Sequence, residues 1–185
     1  MKYIAIIVLL LISLIYTTSV IAKPLCKTNP VYCKIIKVQP QINKKLAMTL
    51  SNHIAKYAKQ YKIDPNISIA IIQQESSFHK QHTWKSKTTI EAVCDKQLCR
   101  QREVIDRSIV DMSIVQINYR TAKDYNLDIK KLYNHDLEYA IESHMKILKS
   151  KMRICKDLKK EAWSCYHSKT PKYRKKYVEL VKRYL

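Results

Sequence analysis

The chain of 185 residues contains no glycine and only one phenylalanine. Glycine adopts positive φ more readily than any other residue, so turns here must be built from asparagine, aspartate, serine and lysine. Helix C-termini also lack the residue that most often caps them. The absence of glycine therefore excludes the commonest way of ending a helix and predicts that other residue types take over these positions.

Acidic residues are also scarce. The chain has 15 Asp and Glu against 35 Lys and Arg, for a formal net charge of +20. Such a balance favours polyanionic surroundings through long-range attraction. Cell-wall polymers and anionic lipids suit an exported protein better than nucleic acid does, so we expect no nucleic-acid partner. Coding from an AT-rich genome explains part of the lysine excess equally well, and both explanations stay open.

The N-terminus has the pattern of a signal peptide. A short basic start, Met1-Lys2, precedes an apolar run that ends in Val20-Ile21-Ala22, a small-residue cleavage site. We therefore predict a signal peptide over residues 1–22 and an exported protein, periplasmic or secreted. An uncleaved membrane anchor is the alternative, because the run approaches the roughly 20 residues that span a bilayer.

All six cysteines lie after the predicted cleavage site. An even number of cysteines in an exported chain is typical of disulfides. The simplest connectivity joins near neighbours along the chain. No Cys-x-x-Cys spacing or Cys/His pair suits tetrahedral zinc, so we expect neither a metal nor a cofactor. The predicted pairs are Cys26–Cys33, Cys94–Cys99 and Cys155–Cys165.

Helical periodicity dominates the rest of the chain. Apolar residues recur at helical spacing over residues 42–61, Asp136 is placed to cap a long helix, and Thr170-Pro171 is placed to start the last one. The last helix carries Tyr177 on its apolar stripe, as a packing residue. Residues from about 79 to 108 have a polar, irregular pattern. We see no β-sheet signal.

These patterns predict an all-α, predominantly helical protein. No repeat and no second domain are evident in the sequence. We expect one domain over residues 42–185, preceded by a basic N-terminal arm over residues 23–41.

Glu75 ends an apolar stretch whose helix start is marked by Asp64-Pro65. A carboxylate at the mouth of a buried helix loses part of its water, which raises its pKa and lets it stay protonated near neutrality. A protonated carboxylic acid facing a groove is what cleavage of a glycosidic bond requires. The plain alternative is a surface glutamate on an ordinary amphipathic helix.

Three sequence elements follow one another in an informative order. They are Glu75-Ser-Ser-Phe78, then Asp111-Met-Ser-Ile-Val-Gln116-Ile-Asn118 with Thr121-Ala122, then Ala162-Trp-Ser-Cys-Tyr166-His-Ser168. Together they resemble the lysozyme-like superfamily, most closely the soluble lytic transglycosylases of the secretion-system-associated type. The resemblance covers roughly Ile67 to Tyr184. It implies a lysozyme-like single domain that acts on the glycan strands of peptidoglycan.

The resemblance also implies roles for individual residues. Glu75 would be the catalytic acid and base, with Ser76 supporting it through a hydrogen bond. The residues implied to contact substrate are Gln116, Tyr166, Asn118 and Ser113. For two of these residues a purely structural role is the alternative: it is as plausible as substrate contact for Gln116, and it is favoured for Asn118.

Three positions depart from the family pattern. Ser113 stands where the family has glycine, Lys80 where it has proline, and Val115 where it has methionine. Glycine lets a ligand approach the backbone closely, so Ser113 affects the expected depth of the groove. The departures leave the identity of the acid unchanged.

The chemistry implied by the resemblance breaks the bond between N-acetylmuramic acid and N-acetylglucosamine and closes a 1,6-anhydro ring. A hydrolytic muramidase that uses Glu75 together with Asp111 is the enzymatic alternative. We expect instead that Asp111 forms a turn by bonding its own backbone. A cationic protein that binds glycan or membranes without catalysis is the alternative outside enzymes. Expected partners are peptidoglycan and a secretion or conjugation apparatus, and we expect a monomer.

Overall fold

The computed structural model describes residues 26–84, 88–95, 98–105 and 110–185, without the side chains of residues 84–109. The predicted signal peptide over residues 1–22 lies outside the described residues, as does the membrane anchor considered as its alternative. Within the described ranges, no helix combines the length and the apolar character needed to cross a membrane.

Most of the described chain is helical, which confirms the predicted fold class. Short links join the helices, and a 3-10 segment over Lys156–Tyr166 precedes the last one. The helices are α1 Pro30–Val38, α2 Lys44–Tyr61, α3 Pro65–Ser76, α4 Tyr119–Asp124, α5 Ile129–Tyr133, α6 Leu137–Ile154 and α7 Pro171–Lys182.

Side-chain caps explain where several of these helices begin. Side-chain oxygens of Asn43, Asp64 and Asp136 accept hydrogen bonds from first-turn N–H groups of α2, α3 and α6. Each such cap contributes about 1 kcal/mol, because the first N–H groups of a helix have no partner inside it. At the other ends, α2 and α3 stop on Lys62 and Ser77, which adopt left-handed conformations with φ of 53° and 51°. Non-glycine residues therefore close these helices, as the missing glycine predicted.

The hydrophobic core is built around two helices of 18 residues each, α2 and α6, which pack against each other. Helix α3 packs against α2 and α7. Its central residues Ile69, Ala70, Ile71 and Ile72 have no exposed surface. Burial of each isoleucine contributes roughly 2 kcal/mol, so α3 is held firmly and its C-terminal end has a fixed position.

The predicted N-terminal arm contains a helix that joins this core. Helix α1 packs against α2 and α3, and its Val31 and Ile35 belong to the same cluster of buried residues. The side-chain amide of Gln39 donates a hydrogen bond of 3.1 Å to the backbone carbonyl of Ser77, just after α3. Residues of the arm therefore support the end of α3. The domain boundaries at residues 22 and 41 stay predictions.

Strands occupy much of the region predicted to be irregular, so that prediction was wrong. One antiparallel sheet has the order β1-β4-β5, and β2 pairs with β3 in a hairpin. The strands are β1 Thr83–Trp84, β2 Thr88–Asp95, β3 Leu98–Ile105, β4 Val110–Met112 and β5 Ile117–Asn118. Strands of two or three residues are too short to show a periodicity, and the hairpin strands lack a strict apolar alternation.

Two of the three predicted disulfides involve described side chains, and both are present: Cys26–Cys33 and Cys155–Cys165. The backbone of the β2-β3 hairpin pairs Cys94 with Cys99, although their side chains lie outside the described set. The Cys155–Cys165 bridge spans the 3-10 segment and ends one residue before Tyr166. It therefore constrains the segment that carries the third sequence element.

Candidate active site

A cavity of about 200 Å³ lies at the C-terminal end of α3, and we call it the central cavity. Residues from all three sequence elements meet in its wall, although the elements are far apart in the chain. The lining residues are Glu75, Asp111, Gln116, Ile117, Asn118, Thr121, Ile147, Tyr166 and His167. The fold thus brings Glu75, Asp111 and Tyr166 to one place.

A second cavity of about 260 Å³, called the side cavity here, shares Glu75 and His167 with the central one. Helix α7 supplies its other wall through Tyr173, Lys176 and Tyr177. Glu75 therefore lies at the junction of two cavities.

The carboxylate of Glu75 is held by a tyrosine from the last helix. The hydroxyl of Tyr177 donates a hydrogen bond of 2.6 Å to Oε1 of Glu75. Burial raises the pKa of Tyr177 well above its usual value, and the negative charge of Glu75 raises it further. The hydroxyl therefore keeps its proton and acts as a donor, which fixes the orientation of the carboxylate. The ring of His167 stacks on Tyr177 with centroids 4.6 Å apart.

Tyr177 is a site residue that the sequence analysis missed, because its helical spacing indicated packing alone. It is indeed 3% exposed, so the packing prediction described its ring correctly. The overlooked signal was its hydroxyl, since a buried tyrosine normally needs a hydrogen-bond partner.

Asp111 lies in the central strand of the three-stranded sheet. Its backbone pairs with Thr83 on one side and with Asn118 on the other. The predicted turn role was therefore wrong: strand pairing with β1, distant in sequence, overrides the local preference of aspartate for turns. Its side chain lines the central cavity, where Oδ1 accepts a hydrogen bond of 2.9 Å from the Asn118 amide.

Asn118 connects the sheet to α4. Its side-chain nitrogen donates to Asp111, while its Oδ1 accepts a hydrogen bond of 3.0 Å from the backbone N–H of Arg120. The second contact caps the N-terminus of α4. Both ends of the amide are thus engaged within the protein.

Gln116 lines the central cavity and also fastens the loop before β1. Its Oε1 accepts a hydrogen bond of 2.6 Å from the Thr83 hydroxyl. Its Nε2 donates to the backbone carbonyls of Ser113 and Gln81, at 2.7 Å and 2.9 Å. Both amide protons are therefore used internally, so Gln116 can offer a ligand only the second lone pair of Oε1.

Ser113 and Ser76 act behind the cavity wall. Ser113 is 1% exposed and begins a turn in which it and Gln116 have positive φ, 63° and 48°. Ser113 is not among the residues that line the central cavity, and its contact with substrate stays a prediction. The hydroxyl of Ser76 donates to the carbonyl of Ile114 at 2.5 Å. This bond ties the end of α3, next to Glu75, to the same turn.

Tyr166 lies in the wall of the central cavity, which Glu75 also lines. Burial raises the pKa of its hydroxyl well above the usual value, and the negative charges of Glu75 and Asp111 raise it further. Tyr166 therefore stays uncharged at any pH at which the protein would work.

The described side chains offer no metal site. Across them, no group of three or more His, Cys, Asp or Glu is arranged to hold an ion. The expectation that the protein uses neither metal nor cofactor stays a prediction.

Glu75 and Asp111 place two carboxylates in the wall of one cavity, and a pair of carboxylates is what most glycoside-cleaving sites use. The sequence matches the transglycosylase SLT domain family over residues 52–178, a range that includes the whole lining of the central cavity. No curated protein and no solved structure matches the chain significantly. The chain belongs to the transglycosylase SLT domain family, whose members are lytic transglycosylases, glycan-cleaving enzymes with peptidoglycan as substrate. The resemblance to lytic transglycosylases of the lysozyme-like superfamily is thereby confirmed, whereas the secretion-system-associated type stays a prediction.

Proposed function

We propose that the protein cleaves the β-1,4 bond between N-acetylmuramic acid and N-acetylglucosamine and closes a 1,6-anhydro ring on the muramic residue. One observation carries this proposal: Glu75 lies at the junction of two cavities, with its carboxylate oriented by Tyr177. A glycan strand that passes through both cavities presents a glycosidic oxygen to that carboxylate.

The proposed reaction uses one protein carboxylate twice. Glu75 donates its proton to the glycosidic oxygen as the bond from C1 to that oxygen breaks, and the N-acetyl group of the muramic residue stabilises the developing cation. The 6-hydroxyl oxygen then forms the new bond to C1 and gives its proton to Glu75. The acid is restored and no water is consumed. A second protein carboxylate is unnecessary, because the substrate supplies its own nucleophile, unlike the usual two-carboxylate scheme.

The variant Glu75→Gln tests this assignment. Glutamine keeps the shape of the side chain and an oxygen for Tyr177, but it can neither donate nor retrieve the proton. We expect release of soluble fragments from purified peptidoglycan to fall by roughly 10²- to 10⁴-fold, the usual contribution of a general acid or base. Glu179→Gln makes the same change of charge at an exposed position of α7 and should leave release unchanged.

Mass spectrometry of the released fragments tests the reaction type. Anhydro-muropeptides are the expected products. If folded protein released no fragments, or if Glu75→Gln kept the full effect on cell walls, the proposal would fail. The cationic glycan- or membrane-binding alternative would then be favoured.

Hydrolysis is the second candidate, and the position of Asp111 favours it. Asp111 lines the same cavity as Glu75, where a second carboxylate could stabilise the cation until water attacks. A hydrolase would release fragments with reducing ends, and Asp111→Asn would lose most activity. A transglycosylase would keep anhydro products in Asp111→Asn, because asparagine retains the oxygen that accepts from Asn118.

Export is part of the proposal and draws support from the disulfides Cys26–Cys33 and Cys155–Cys165, since such bonds persist mainly in oxidising compartments. Fractionation of cells and sequencing of the purified N-terminus test it. A new N-terminus at Lys23 in the periplasm or medium is expected, and protein recovered from membranes with residues 1–22 attached would favour the anchor.

A role beside a secretion or conjugation apparatus is the last part of the proposal. It is supported by the segment over residues 111–118, which resembles the corresponding segment of secretion-system-associated transglycosylases. Co-purification of the exported protein with such an apparatus from cells that contain both is the expected result. As the control, the protein is purified in the same way from cells that lack the apparatus, and no such complex should be recovered.

A further inference from the structure

A buried histidine outside the three sequence elements contacts the site. His144 lies on α6 and has no exposed surface. Its Nδ1 is 3.0 Å from the hydroxyl oxygen of Tyr166, and the two rings meet edge to face with centroids 5.0 Å apart. Tyr166 in turn lines the central cavity beside Glu75. His144 thus reaches the site through one intermediate side chain.

The hydrogen bonds around Tyr166 indicate which ring nitrogen of His144 carries the proton. The Tyr166 oxygen also lies 3.4 Å from the carbonyl of Val115, while Nε2 of His144 is buried without a partner among the described residues. A proton on Nδ1 allows two hydrogen bonds, from His144 to Tyr166 and from Tyr166 to Val115. A proton on Nε2 allows only one and leaves a buried donor unpaired, which costs about 1–3 kcal/mol. The first arrangement is therefore favoured.

The histidine adds no charge to this arrangement. Burial lowers the pKa of His144 to about 3, so the ring is neutral wherever the enzyme would be active. The two tyrosine hydroxyls of the site then have different roles. The proton of Tyr177 points to Glu75, whereas the proton of Tyr166 points to a backbone carbonyl.

We propose that His144 is a positioning residue of the cleavage reaction. Its Nδ1–H donates a hydrogen bond that holds the Tyr166 hydroxyl at the cavity wall, while that hydroxyl donates its own proton in a hydrogen bond to the carbonyl of Val115. The hydroxyl oxygen then keeps one lone pair for the substrate, so it meets the glycan only as an acceptor, from a sugar O–H or an acetamido N–H. It also cannot donate to Glu75 in competition with Tyr177. This inference rests on the proposed function, because it assigns His144 and Tyr166 to that reaction.

A double-mutant cycle on kcat/KM for fragment release tests the coupling. His144→Leu and Tyr166→Phe are each expected to lower kcat/KM about tenfold, the value of one well-placed hydrogen bond. The double variant should be no worse than Tyr166→Phe, since His144 acts only through that hydroxyl. Independent effects would instead multiply to about a hundredfold and would overturn the proposal.

Two amide variants separate positioning from filling of space. His144→Asn places its side-chain nitrogen near the Nδ1 position and should recover most of the activity. His144→Gln reaches the Nε2 position and should not. Equal activity of the two, with both folded by circular dichroism, would mean that His144 only fills the core. These two variants also carry the test if His144→Leu does not fold.

The outcome for His144 is separable from that of the proposed function. Cleavage by the wild type that is abolished in Glu75→Gln supports the function whatever the cycle shows, and additive effects of His144 and Tyr166 would then refute this inference alone. A folded wild type that cleaves no glycan would refute both.

Discussion

Tyr177 donates a hydrogen bond of 2.6 Å to Glu75 across 102 positions of sequence. This contact joins the last helix, α7, to the end of α3, and the two helices also pack directly against each other. The acid therefore depends on α7 for its orientation as well as on α3 for its position.

Removal of the Tyr177 hydroxyl should reduce the rate and alter its pH dependence. In Tyr177→Phe the carboxylate of Glu75 loses a donor that favours its anionic form, so the alkaline limb of the pH–rate profile should move to higher pH. Less precise orientation should lower kcat by about tenfold, as expected for one lost hydrogen bond. Fragment release measured between pH 4 and 9 checks both effects.

The control for Tyr177→Phe is Tyr173→Phe, which removes a hydroxyl from a residue of the same helix that is 58% exposed. It should change the profile far less. A Tyr177→Phe variant with the wild-type pH profile and kcat would contradict a role for this hydrogen bond.

Replacement of Ser113 by glycine should stabilise the fold. Ser113 has a φ of 63°, which costs a residue with a Cβ atom about 1–2 kcal/mol and costs glycine little. Glycine loses more freedom on folding, so we expect a net gain of about 0.5–1 kcal/mol in the free energy of unfolding in Ser113→Gly. Urea denaturation measures it. Ser68→Gly, inside helix α3, should have the opposite sign, and destabilisation by Ser113→Gly would contradict the strain argument.

Loss of the Cys155–Cys165 disulfide should affect both stability and activity. The bond closes a short loop, with a sequence separation of 10, so its removal as Cys155→Ser with Cys165→Ser should cost about 3 kcal/mol of unfolding free energy. The same segment carries Tyr166, so kcat should also fall in the folded fraction. Removal of Cys26–Cys33, with a separation of 7, should cost similar stability and spare kcat. Equal kcat in both double variants would show that the bridge does not position the site.

His144 makes stability depend on pH in a defined direction. Burial lowers its pKa to about 3 in the folded protein, whereas an unperturbed histidine has a pKa of 6.5. Below pH 6.5 the unfolded chain therefore binds a proton that the folded chain does not bind. Stability should therefore fall as the pH drops from 6.5 towards 3, by up to about 1.4 kcal/mol per pH unit. Urea denaturation at several pH values measures this slope.

The variant His144→Asn should flatten that slope, although His135 adds a contribution of the same sign because burial also lowers its pKa. The difference between wild type and variant isolates His144. An unchanged slope in His144→Asn would mean that the histidine is not buried in its neutral form.

Local features were predictable from the sequence. The caps Asp64 and Asp136 and the apolar spacing between 42 and 61 located helices, because these signals act within a few residues. Near-neighbour cysteines gave two disulfides that the structure contains. The three ordered sequence elements were sufficient to recognise the family, which the match over residues 52–178 confirms.

Only the tertiary structure decided what surrounds Glu75. The pairing of Asp111 with Thr83, the donation from Tyr177 and the contact of His144 with Tyr166 all join residues from separate elements. A periodicity reports which face of a helix is buried, but it does not report which atom a buried hydroxyl or imidazole meets there. The sequence by itself determined most of the helices and the family, because local propensity and order along the chain carry that information. The orientation of the acid and the neutrality of His144 come from packing between distant segments, which places donors and excludes water.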